Sequence, residues 1–270
     1  MVFRRSAVSR NCSSVEDVNA EHNPVVMPGP PEAAVPPPTL PAARPHRWGI
    51  GAYLVVVTTY VAVGLVLLLV LRGSEASVGK IATVLVVPTV CSAGLAVLIT
   101  RWRGNGPRID LRLHWTWRGL GWGALFGFGG LFITLPAAAL YLSIVGPEAN
   151  SAVGAVFGDV RTSWIWAVAI FVCVVLVAPV CEEIVYRGLL WGALDWRWGR
   201  WVAFGVTTVL FAVAHLELTR TPLLLIVAIP LGLARLYTGS LVASIAAHSV
   251  TNLLPGLVIM LTLVGRMPTV

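Results

Sequence analysis

Charge is scarce in this chain. Only 11% of its 270 residues are Asp, Glu, Lys or Arg, against about 25% in a soluble globular domain. That shortage, with 57% hydrophobic residues, excludes a water-soluble fold. Cysteine is scarce too. Cys12, Cys91, Cys173 and Cys181 form no CxxC pair, which argues against both a disulfide framework and a cysteine-held zinc. The last three lie in apolar segments and read as small core residues. No HExxH helix is present, so the commonest zinc-protease signature is missing. No apolar stretch follows Arg4 and Arg5, as a secretory signal peptide would require. A clustered basic patch is also absent. The net charge of +7 is spread over the ends of apolar runs, which is a topology pattern and not a nucleic-acid footprint.

What the chain does have is apolar length. After a segment 1–45 that carries nine of the 18 prolines, and that cannot bury a core, runs of about 20 apolar residues follow one another. They read as spans at 49–71, 78–100, 119–145, 162–195, 201–218, 221–238 and 241–264. The fold class expected is therefore all-α: a polytopic transmembrane helical bundle of about seven spans, residues 46–270, behind a disordered Pro-rich tail. The fourth run is long. Pro179 within it leaves the carbonyl of Val175 without its helical donor and predicts a bend. Arg101, Arg103, Arg108, Arg112 and Arg118 crowd one loop, and Arg44 and Arg47 end the tail, so both face the cytoplasm by the positive-inside rule. Alternation puts Arg197 and Arg200 inside as well, and the sparser Arg72, Lys80, Arg161 and Arg220 outside. The expectation is a multi-pass protein of the plasma membrane with a cytoplasmic N-terminus. The alternating residues Ile109, Leu111, Leu113, Trp115 and Trp117 read as a tryptophan-anchored interfacial segment, since an open strand edge would go unsatisfied in lipid.

Against that background Glu182 and Glu183 stand out. A central ionised residue costs roughly 2.5 to 3.5 kcal/mol even on the gentler insertion scales, which makes an intramembrane acid a functional site by default. Glu183 and Arg187 share a helix face at i,i+4, so Glu183 can be neutralised locally while Glu182 has no such partner. The other polar groups with catalytic chemistry in the late spans are His215, His248 and Asn252. Counted from the Asp195 to Arg200 turn, Glu182 and His215 both lie roughly 20 Å deep at 1.5 Å per residue. Counted from Gly239, His248 and Asn252 lie roughly 14 and 20 Å deep on one face. The steps from Gly188 to Gly192 and from Gly123 to Gly127 let helices approach closely, and Phe211 reads as packing.

Glu182-Glu183-x-x-x-Arg187, Phe211-x-x-x-His215 and His248-x-x-x-Asn252, in that order, resemble the CPBP family of intramembrane proteases, which includes the type II CAAX prenyl endopeptidases and the bacterial Abi proteins. The likeness covers roughly residues 160–265. It implies that 46–270 is a membrane-embedded protease domain acting on a membrane-associated peptide or protein. It further implies catalysis by Glu182 and His215, which activate water, and by His248 and Asn252, which hold the oxyanion, with Glu183 and Arg187 as an orienting pair and no cofactor. One rival keeps the reaction and makes Glu182, His215 and His248 zinc ligands with water in the open position. Others are a proton-coupled transporter, against which no inverted repeat is visible, and a non-catalytic immunity or peptide-binding membrane protein. The bilayer is the one certain partner, and no signal for oligomeric state is present.

Overall fold

The computed structural model describes residues 47–73, 77–146, 149, 154, 156, 157 and 160–267. The Pro-rich segment 1–45 lies outside the described residues. Among those described there is no strand. The helices are α1 Ile50–Val70, α2 Val78–Arg103, the single turn α3 Pro107–Asp110, α4 Trp117–Val145, α5 Trp164–Trp198, α6 Arg200–Val213, α7 Thr221–Thr238 and α8 Leu241–Leu263.

Six of these, α1, α2, α4, α5, α7 and α8, are long and apolar enough to cross a membrane, and the chain is an integral membrane protein. The seventh expected span, 201–218, is shorter than the hydropathy implied. α6 has 14 residues, roughly 21 Å at 1.5 Å per residue, whereas a bilayer core is about 30 Å thick. It stops because polar chemistry begins. His215, Glu217 and Arg220 follow, Glu217 pairs with Arg220 at 3.0 Å, and Leu216 takes a positive φ of 56° that a helix cannot continue through. Pro222 in the first turn of α7 then restarts the helix.

Burial differs widely among the spans, with α1 the least buried and α7 the most. Of the most apolar window, 6% is buried in α1 and 50% in α7, so α1 is peripheral and α7 is the span most surrounded by protein. α5 runs through the largest core cluster, where Cys181, Ile184, Val185, Leu189, Leu190 and Trp191 meet Tyr53 and Val56 of α1 and Ala93 and Ala96 of α2. With 35 residues it is roughly 52 Å long, more than the apolar layer needs. Its last turn carries the exposed Trp196 and Trp198. Cys181 is buried as expected, but Cys91 is exposed on α2 and is not a core residue.

α4 packs on α8 through glycine. A Cβ on Gly123 would collide with the Ala243 carbonyl, and one on Gly127 would stand 2.7 Å from Val250 Cβ and 2.9 Å from the Ala247 carbonyl. The close approach read from that spacing is therefore present. We expect Gly127→Leu to lower stability by about 1 to 3 kcal/mol, because the helices must separate. Gly121→Leu, where nothing lies within 4 Å, is expected to change little. Thermal unfolding of both variants in detergent checks this.

The arginine-rich segments share one end of the bundle. Arg47 N–H donates to the Arg103 carbonyl at 2.7 Å, Leu241 N–H donates to the Arg112 carbonyl at 3.2 Å, and Trp48 Nε1–H donates to Asp110 at 3.1 Å. These bonds tie the start of α1, the α2–α4 connection and the α7–α8 connection together. The connection from α3 to α4 forms no strand; Trp115 within it and Trp117 at the start of α4 are exposed, while Leu111 is fully buried.

Candidate active site

The two acids sit in a helical turn with wide turns on both sides. In α5, Cys173–Val177 and Ile184–Leu190 are π-helical, and Ala178–Glu183 between them is α-helical. Such bulges recur at functional sites. Pro179 explains the first one. Ala178 N–H donates to the carbonyl of Cys173, five residues back; the next bond in that register would run from residue 179 to Val174, and proline has no N–H to give. The carbonyl lacking its donor is therefore that of Val174, one residue earlier than the α-helical spacing predicted. Asn252 Nδ2 on α8 donates to it at 3.0 Å.

Glu183 is the centre of the polar cluster. Its side chain and that of Arg187 are both 0% exposed, and they pair at 3.0 Å as the i,i+4 spacing predicted. Two further partners come from α8. His248 Nδ1 lies 3.0 Å from Glu183 Oε1, and the Ser244 hydroxyl lies 2.6 Å from Oε2 and 2.8 Å from the Leu231 carbonyl. A hydroxyl has one proton, so Ser244 serves one of these acceptors at a time. Arg187 is held in turn by the Ala228 carbonyl at 3.5 Å and by the face of Phe211, 4.2 Å from the guanidinium carbon. Arg235 Nε donates to the Arg187 carbonyl at 3.0 Å.

Glu182 points elsewhere, as its helical direction required. Its side chain is 29% exposed, and its Oε2 lies 3.8 Å from His248 Nε2. The imidazole thus stands between both carboxylates, bonded to one and facing the other. Bonding of Nδ1 to a carboxylate assigns the proton to Nδ1 and aims Nε2 at Glu182.

His215 is placed differently from the mid-helix position the hydropathy implied. It lies in the turn after α6 and is exposed, with Nδ1 at 2.8 Å from the Phe211 carbonyl. Its ring packs on Phe211 at 4.9 Å, and His248 packs on the same ring at 5.4 Å. The structure therefore brings Glu182, Glu183, Arg187 and His248 into direct contact. His215 joins them through Phe211, and Asn252 lies one turn beyond His248 with its amide on α5. Among the described residues no group of three His, Cys, Asp or Glu side chains could hold a metal ion, and the trio Glu182, His215 and His248 is no exception.

Two members of the cluster had weak sequence signals. Ser244 precedes His248 by four residues on the same face, a stripe at i, i+4 and i+8 with Asn252. Phe211, read as packing, is the platform that Arg187, Tyr186, His215 and His248 all touch.

A buried carboxylate, guanidinium and imidazole cluster inside a bundle of lipid-spanning helices defines a membrane protein built around an intramembrane polar site. Residues 164–254, 91 of the 270, match the family described as type II CAAX prenyl endopeptidase Rce1-like. The match supports membership of the CPBP family, a family of membrane proteases, and spans all three motifs. No curated protein and no solved structure matches the chain.

Proposed function

We propose that this chain is an intramembrane endopeptidase that hydrolyses a peptide bond in a membrane-associated protein or peptide, without a metal. The observation that carries the reading is the position of His248, bonded through Nδ1 to the buried Glu183 and facing Glu182 through Nε2. Glu183, itself matched by Arg187, orients the ring and stabilises it when it is positively charged. A doubly protonated His248 then has an Nε2–H to offer.

In this reading Glu182 takes a proton from water as the water oxygen bonds to the scissile carbonyl carbon. The carbonyl π electrons move onto oxygen, and the resulting oxyanion is met by His248 Nε2–H and by the second N–H of Asn252 Nδ2, the first being held by Val174. When the tetrahedral carbon re-forms its carbonyl, the C–N bond breaks and the proton passes from Glu182 to the leaving amine. His215, whose Nδ1 is committed to the Phe211 carbonyl, presents Nε2 to the same water and shares the proton transfer. Partial exposure of Glu182 beside fully buried Glu183 suits these roles, since a base must reach water and an orienting group need not. We further place the arginine-rich end of the bundle, and with it the N-terminus, in the cytoplasm of a plasma-membrane protein.

The test is cleavage by purified protein of peptides drawn from membrane-proteome termini that differ between cells with the wild-type chain and with Glu182→Ala. Activity is expected to survive exhaustive chelation. Loss on chelation with return on adding zinc would overturn the metal-free reading, and identical termini in both cell types would overturn the protease reading itself.

A further inference from the structure

A concave site lies at the arginine-rich end, and none of the residues of the carboxylate cluster lines it. It is a cavity of about 620 Å³ between the first turns of α4 and the end of α7, lined by residues that include His114, Thr116, Arg118, Trp122, Tyr237 and Ser240. That volume falls within the range of small-molecule sites, about 300 to 1,000 Å³. No carboxylate lines it, and its charged group is a guanidinium.

One lining residue holds an unmet polar atom beside Gly119, at the start of α4. Ser240 is 5% exposed, and its Oγ is buried with no hydrogen-bond partner. The neighbouring hydroxyls already bond to backbone. Thr116 accepts from Gly119 N–H at the start of α4, and Thr238 donates to the Ala234 carbonyl and accepts from Ser240 N–H. A buried hydroxyl without a partner costs free energy that an incoming acceptor would recover. The rim is aromatic. Trp122 and Tyr237 are exposed, and Tyr237 stacks on Phe126 at 6.3 Å. Aromatic rings at the ends of spanning helices lie at headgroup level, with their apolar bodies against the first acyl carbons.

We infer that this cavity binds the phosphate of an anionic membrane lipid. Arg118 supplies the charge, Ser240 Oγ–H the buried donor and the start of α4 the favourable helix end, while Trp122 and Tyr237 flank the glycerol and upper chains. A phosphodiester fits because it only accepts hydrogen bonds, and the inner wall offers donors without a competing anion. The aromatic rim favours a lipid over a free anion, which would gain nothing from it. Occupancy would link α4 to the end of α7, whose last turn carries Arg235 bonded to the backbone of Arg187.

The experiment uses the purified full chain in neutral detergent, with phosphatidylglycerol, phosphatidylcholine and inorganic phosphate as separate probes, read by native mass spectrometry and thermal unfolding. One retained phosphatidylglycerol and a raised unfolding temperature are expected, with no such effect from phosphatidylcholine or inorganic phosphate. Arg118→Gln is expected to weaken phosphatidylglycerol retention roughly tenfold, the loss of one charge-assisted bond, without lowering the unfolding temperature of the lipid-free protein. Ser240→Ala is expected to weaken it less. Arg108→Gln, at the same end but outside the cavity, is expected to have no effect. Equal loss in Arg108→Gln and Arg118→Gln would mean general attraction to a basic surface and overturns the site. Equal stabilisation by inorganic phosphate, equal retention of phosphatidylcholine, or unchanged retention in Arg118→Gln overturns it as well.

Discussion

Glu183→Gln is expected to lower the unfolding temperature by on the order of 10 °C in a chain of this size, and to abolish activity as a consequence. Glu183 has three side-chain partners, Arg187 at 3.0 Å, His248 at 3.0 Å and Ser244 at 2.6 Å, with both members of the ion pair 0% exposed. Glutamine keeps the shape, and its NH₂ can be accepted by Ser244 Oγ while Ser244 donates to the Leu231 carbonyl, but the remaining amide oxygen carries no charge to match Arg187 and His248. Arg187 is left charged, with the Ala228 carbonyl and the Phe211 ring as remaining support. Removing one member of a buried pair costs about 3 to 5 kcal/mol. Thermal unfolding in detergent decides it. A variant as stable as the wild type would mean that Arg187 is satisfied without the carboxylate.

Glu182→Gln is expected to do the opposite. Its nearest charged contact is the 3.8 Å approach to His248, and its side chain is 29% exposed. Pairs with a solvent-accessible member are worth about 0 to 1 kcal/mol, so unfolding should move little. Under the proposed function the same change removes the base that takes the proton from water, a loss of about 10²- to 10⁴-fold in turnover. Measuring turnover and unfolding on both variants separates the acids cleanly. Near-wild-type cleavage by Glu182→Gln would reverse their assignment. So would a destabilised Glu182→Gln beside a stable Glu183→Gln.

Several features of this site were legible in the residue order because they are local. The i,i+4 distance between Glu183 and Arg187 is set by helix geometry alone, and the different direction of Glu182 follows from the step of about 100° per residue. The glycine spacing on α4 announced a close contact, although not which helix would fill it. The register of α5 was harder. An α-helix puts the carbonyl lacking a donor at Val175, but the π-helical turn Cys173–Val177 shifts it to Val174, and only the position of α8 shows that Asn252 supplies the replacement. Hydropathy carried α6 on to residue 218 because a sliding window averages His215 and Glu217 with their apolar neighbours. The helix ends at Val213, where the backbone must turn.

The sequence by itself determined that the chain is helical and membrane-embedded, that two acids lie where acids are costly, and that one of them has an arginine on its own face. These follow from composition and from periodicities within a single helix. Tertiary structure alone decided that Glu183 is shared by Arg187, Ser244 and His248, that His248 reaches both carboxylates, and that His215 approaches through the ring of Phe211 from an exposed turn. Partners on different helices depend on the rotation and depth at which those helices pack. Depth read from apolar length was too coarse to separate a histidine inside a helix from one just past its end, and the rotation was set by glycine contacts and π-turns whose consequences appear only when the helices meet.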